Sequence, residues 1–197
     1  MKYLLLALFL ISFFQFSTKA DDIREFELEG MSVGESLLKF KDKKFIQNRL
    51  NDSNTFFYKN KTFAVIGLDI LSDLFEGISA TIKPKDKNSI IYAIEGRLFF
   101  PNDMKKCRTK MDEISNDISS IFPDVKPTLL NSVKHGYDKT GNTFFDAYLF
   151  ELSNGHLEIF CIDWSNEITK KENFTDELKL IINSQELRNW INKEAFN

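Results

Sequence analysis

Glu25-Phe26-Glu27-Leu28-Glu29-Gly30-Met31-Ser32-Val33-Gly34-Glu35-Ser36-Leu37-Leu38 holds two patterns that lead to two different folds. Gly30-x-Ser32-x-Gly34 has the spacing of a hydrolase nucleophile elbow, in which a serine stands on a strained strand-to-helix turn above a parallel sheet. Ser32-x-x-Glu35 before an apolar run is a helix capping box. In that reading Ser32 accepts from the N–H of Glu35, and the Glu35 side chain reaches back to the N–H of Ser32. An elbow needs earlier βαβ units to build the sheet beneath it, and this stretch comes too early in the chain to have them. The later chain reads as hairpins, which are antiparallel. The imidazoles available to a nucleophile are His135 and His156, both expected on exposed loops. The cap needs only local residues, with Gly30 and Gly34 easing the turn. It therefore leads, and a serine hydrolase using Ser32 is kept as the alternative.

Upstream, Met1 to Ala20 has an early lysine, an apolar run from Tyr3 to Phe14 and small residues at Thr18 and Ala20. That is the build of a secretory leader cleaved between Ala20 and Asp21. Its apolar run is shorter than the ~20 residues a bilayer span needs, so the mature chain is expected not to span a membrane. Asp21 also leaves no cysteine there for lipid attachment. The 197 residues suit one domain, here 21–197. With 43% hydrophobic and 28% charged residues the composition is that of a folding globular chain. Lys2 and Lys19 leave with the leader, so 26 basic residues become 24 against 29 acidic, a net of −5. Nucleic-acid binding, which draws on a basic stripe, is not expected from such a chain.

Beyond the cap, Leu37, Leu38, Phe45, Ile46 and Leu50 predict a kinked helix or two short ones, broken near Asp42. Thr55 to Tyr58 and Thr62 to Leu68 flank Lys59-Asn60-Lys61 as a hairpin. Gly77 to Lys83 and Ser89 to Phe100 form a second, with Tyr92, Ile94, Leu98 and Phe100 on one face and Gly96 as a bulge. Met104, Cys107, Met111, Ile114, Ile118 and Ile121 recur at steps of three and four, predicting a helix over about 103–122 capped by Asn102 or Asp103 and stopped by Pro123. Val125 to Tyr137 carries no clear pattern. Thr143 to Leu152 and His156 to Trp164 make a hairpin about Asn154-Gly155. Its two faces are both apolar, which places it inside a sheet covered on both sides. A strand over Glu177 to Ile182 and a helix from Ser184 close the chain. The expected fold is α+β: a mainly antiparallel sheet of about six to seven strands, with the long helix and terminal helices packed on it. The order of elements suggests two similar halves, without a residue-level repeat.

Three constellations bear on chemistry. Cys107 on the apolar stripe of the long helix and Cys161 on the inward face of the hairpin read as one structural disulfide in an exported chain. With a two-residue Asn154-Gly155 turn, Asp146 faces Asp163. Opposed carboxylates raise each other's pKa or recruit a cation, so Asp146, Asp163 and His135 are candidate metal ligands. Asp138-Lys139-Thr140-Gly141 matches the start of a phosphorylated loop of cation pumps, but no companion motif accompanies it. It reads instead as a polar turn with Gly141 at positive φ.

Ile23 to Leu38 resembles the opening of small exported proteins of marine alphaproteobacteria, and Cys161-Ile162-Asp163-Trp164-Ser165 and Ser184-Gln185-Glu186-Leu187 match further along. The resemblance spans most of the mature chain and implies a periplasmic address. Gly30-Met31-Ser32 and its helix also resemble the first turn of outer-membrane assembly lipoproteins, small α+β interaction modules, though their lipidated cysteine is absent. Together these readings predict a periplasmic or secreted, non-enzymatic binding or interaction domain without a cofactor. Its ligand would be a protein or a small molecule, with metal binding at Asp146 and Asp163 as a further alternative.

Overall fold

Eight strands make one antiparallel sheet in the computed structural model, which describes residues 22–195. The first four are β3 (Phe56–Phe57), β4 (Ala64–Leu68), β5 (Gly77–Ile82) and β6 (Ile91–Phe99). The second four are β7 (Thr128–Lys134), β8 (Phe144–Leu152), β9 (Gly155–Asp163) and β10 (Glu177–Ser184). Their order across the sheet is β3-β4-β5-β6-β10-β9-β8-β7. Each group of four is a meander that follows a helix, α1 (Lys43–Leu50) or α2 (Met104–Ile121). The meanders meet where β6 runs antiparallel to β10, with Arg97 opposite Lys179. The two halves suggested by element order correspond in topology to these two helix-plus-meander runs. A separate ribbon pairs β1 (Glu27–Leu28) with β2 (Met31–Ser32). The α+β class holds, with more strands than the six to seven expected.

The 18 residues of α2 lie across one face of the sheet, touching β8, β9 and β10. Asp103 caps the helix by accepting from the N–H of Lys106 at 3.1 Å. Cys107, Met111 and Ile118 are buried beneath it, whereas Ile121 at the end of the predicted stripe is 55% exposed. Cys107 is bonded to Cys161 with a Cα–Cα distance of 6.0 Å. Both are fully buried, so the bridge pins the helix to the interior strand β9 from inside the core. On the opposite face, α4 (Gln185–Trp190) starts at a Ser184 cap and sets Trp190 against Tyr58 and Phe63.

Four local readings are corrected. Ser32 lies in β2 and caps no helix; the Glu35 carboxylate does reach back to its N–H, at 3.3 Å, but the following 3-10 turn Leu37–Lys39 is capped by Ser36. Asp42 then caps α1, giving the two short helices. In the β8–β9 hairpin Leu152 pairs with Gly155, so the turn residues are Ser153 and Asn154. Asn154 takes positive φ (64°), and Gly155 belongs to the strand for a different reason. A Cβ there would lie 2.1 Å from the Asn183 carbonyl oxygen and 2.8 Å from Ile23 Cγ2. The shift is two residues, so every side chain keeps its predicted face. The bulge in β6 is at Tyr92, because Thr81 pairs with Ala93 and Ile82 with Ile91. Ile91 and Ile94 therefore share the main core while Tyr92 joins Phe63 on the other face. Gly96 stays in register, and the Phe75 ring covers the space a side chain would fill. Finally, α3 (Asn166–Glu172), unpredicted, starts on a Ser165 cap. The leader and its Ala20–Asp21 cleavage position lie outside the described residues.

Candidate functional site

The residues that sequence reading proposed for chemistry do not come together. Ser32 is buried in the β1–β2 ribbon, no imidazole is bonded to it, and no strand of the main sheet is parallel to its neighbour. His156, expected on an open loop, is buried in β9. Its Nε2 stands 3.2 Å from Arg188 Nη1 and 3.3 Å from Glu158 Oε1. The His135 ring lies 4.8 Å from that of Trp164, and burial, with Lys179 nearby, holds its pKa below the ordinary histidine value. Asp146 pairs with Cys161 across the sheet and not with Asp163. Its carboxylate is bonded to Arg108 and accepts from the N–H of Ser132 at 2.7 Å. Ser132 has φ 50° at the irregularity in β7, so Asp146 pins a bulge on the edge strand. Edges broken in this way resist pairing with other chains. Among the described residues no group of three His, Cys, Asp or Glu is placed to hold a metal ion, and Asp146, Asp163 and His135 are not such a group.

What the fold does assemble is a cleft of about 620 Å³ at the end of β9. Five segments meet there: Asn102 before α2, Asn142 before β8, Asp163 and Trp164 at the end of β9, Asn166 and Glu167 in α3, and Asp176 before β10. Asp176 ties three of them. Its Oδ1 accepts from the N–H of Trp164 at 2.9 Å and Oδ2 from that of Asn102 at 3.1 Å. Its carbonyl accepts from Phe100 at 2.8 Å. Two backbone donors of the cleft, those of Trp164 and Asn102, are therefore already occupied by a carboxylate of the chain.

Asp138 fixes the adjoining loop. It accepts from the N–H and hydroxyl of Thr140 at 2.8 and 2.7 Å, the Thr143 hydroxyl at 2.8 Å and the Ser165 hydroxyl at 2.9 Å. The Asp-Lys-Thr-Gly motif is thus a turn, with Gly141 at φ 74°. These bonds, that of the Thr140 hydroxyl foremost, hold the Asp138 carboxyl far below the ordinary carboxylate range against the opposing effect of burial. A depressed folded-state pKa stabilises above the unfolded value of about 4 and loses that contribution as pH falls further. Asp138→Asn is expected to flatten the acid limb of the stability–pH curve below about pH 4. Urea melts of the two proteins from pH 2 to 7 would check it; parallel curves would contradict it.

Asp163 behaves oppositely. Burial raises its carboxyl pKa, the neighbouring Asp176 and Asp146 add to this, and Arg108 partly offsets it. A raised carboxyl contributes stability below its unfolded pKa and loses it as pH rises. Asp163 is itself exposed, so water screens this repulsion and the penalty on the ionised group at neutral pH is small. Asp163→Asn should therefore raise the melting temperature slightly at pH 7 and leave it nearly unchanged at pH 3, as calorimetry at both values would show. A lower melting temperature at pH 7 would contradict the assignment.

Of this site, Asn102, Asp163, Trp164 and Ser165 fall in segments the sequence singled out for other reasons. Asp176 was not, because its signal is three backbone bonds to distant segments. Fold and cleft together define an α+β protein with one disulfide and a polar surface cleft beside an aromatic cluster of His135, Tyr137, Trp164 and Phe174. No protein-family model, curated protein or solved structure matches the chain. Among the described residues no helix is long and apolar enough to cross a membrane.

Proposed function

We propose that this chain is an exported, non-enzymatic binding domain that takes a small neutral or cationic polar solute in the cleft between β9, α3 and the start of α2. The leader at Met1 to Ala20 and the resemblance to exported proteins support a periplasmic or secreted address, and the buried disulfide is compatible with an oxidising compartment. One observation carries the binding reading: the cleft is lined by carboxamides and carboxylates with no lysine, arginine or histidine. Such walls offer hydrogen bonds to hydroxyl and amino groups and repel anions.

Trp164, which lines the cleft, supplies a fluorescence signal. Titration of the oxidised, leader-free protein with hexoses, hexosamines and short polyamines should give a saturable change with at least one class. The change should be weakened by Asn166→Ala and Asp163→Asn, and sugar phosphates should give none. A flat response to every class, or binding of the phosphates alone, would remove this reading.

A further inference from the structure

A second surface is formed by the loop 69–76 between β4 and β5. Loops that display apolar side chains are usually mobile, but this one is fastened along its length. The Asp69 carbonyl accepts from Lys41 at 2.8 Å, and its carboxylate pairs with Arg49. The Ser72 hydroxyl donates to Glu29 and accepts from the N–H groups of Leu74 and Phe75 at 3.0 and 2.9 Å. Phe75 packs over Gly96, and the Glu76 carboxylate accepts from the N–H of Phe99 at 2.7 Å. Held in this way, the loop still projects Leu71 at 102% and Leu74 at 70% exposure. A rigid display of two leucines gives up little conformational entropy on being covered.

The loop adjoins an apolar groove. Glu29, which holds Ser72, is three residues from Phe26, and Phe26 stacks on Phe122 with ring centroids 6.2 Å apart. Phe26, Phe122 and the half-exposed Ile121 line the groove, with Glu25 and Glu27 at its edge. Glu25, Glu27, Glu29 and Asp73 are exposed around the two features, and Arg24 beside Glu25 is paired with Asp22. Of the basic side chains bonded to the loop, Arg49 is paired with the Asp69 carboxylate and Lys41 is held on the Asp69 carbonyl. A second copy would bring the same acidic rim, and an anionic bilayer would be repelled in the same way.

We infer that Leu71, Leu74 and the Phe26–Ile121–Phe122 groove form a docking surface for a cationic amphipathic segment of another protein. Its apolar side chains cover the leucines and the groove while its lysines and arginines meet the acidic rim. The probe is a helical peptide of leucine and lysine only, labelled and titrated into the oxidised, leader-free protein, with a leucine–glutamate peptide as the control. Saturable binding is expected for the lysine peptide alone. It should weaken at least about tenfold in Leu71→Asp/Leu74→Asp and again in salt near 0.5 M. Leu71→Ser/Leu74→Ser tests the same contacts without new charge. Binding indifferent to both leucine pairs would show general adhesion to an acidic protein and overturn the inference. So would self-association, or co-sedimentation with phosphatidylcholine–phosphatidylglycerol vesicles, that disappears in Leu71→Ser/Leu74→Ser.

Discussion

Replacing Cys107 and Cys161 together by alanine should lower the stability of this protein by about 4 kcal/mol, close to 10 °C in melting temperature. The bridge joins residues 54 apart in sequence, and a cross-link over a loop of that length removes much of the freedom of the unfolded chain. Its location adds a second effect. Both cysteines are fully buried between α2 and the interior strand β9, so the double variant also leaves a void in packed surroundings. Denaturant unfolding of the oxidised and alanine proteins would measure the difference. Reductant added to the folded protein should do nothing for as long as it stays folded, because neither cysteine is exposed. A change of less than about 1 kcal/mol would show that the unfolded chain stays compact without the link.

The second large effect is expected at Gly155. Gly155→Ala would drive a methyl group to 2.1 Å from the Asn183 carbonyl oxygen, an atom of the neighbouring backbone that no rotamer change can move. Relief requires β9 to part from β10, or Ile23 to leave its place over the hairpin, where its N–H donates to the Ser153 carbonyl at 3.0 Å. The expected cost is about 3 kcal/mol or more, the upper part of the overpacking range. Asn154→Gly is the control. It alters the residue that adopts positive φ and leaves the packing of Gly155 untouched, so its effect should be within about 1 kcal/mol. If instead the Asn154 variant suffers and Gly155→Ala does not, the glycine serves the turn and the register of the hairpin is wrong.

That pair of residues shows what was legible in the chain and what was not. Asn-Gly announces a hairpin, and the hairpin is there with every side chain on its expected face. Which residue bends and which makes room depends on Ile23 and Asn183, both far away in sequence. The long helix was legible because its apolar stripe, Asp103 and Pro123 agree. The disulfide followed from the same periodicity, since it placed one cysteine on each of two facing surfaces. Strand β7 was not legible. Its side chains alternate poorly because it is an edge strand, and its bulge at Ser132 is created by Asp146 from the adjacent strand. The carboxylate that looked like half of a metal site is used to shape that edge. In the cleft, Asp176 works entirely through backbone groups delivered by other segments, a role without any sequence pattern.

The order in which the chain is made acquires a meaning from the seam between the two meanders. The strand that joins them, Glu177–Ser184, is the last of the eight to be made, yet it occupies an interior position. Until it arrives, β6 and β9 each present an unpaired row of backbone groups. No shorter N-terminal fragment can close the sheet. Products that end before residue 177 should therefore be prone to clump.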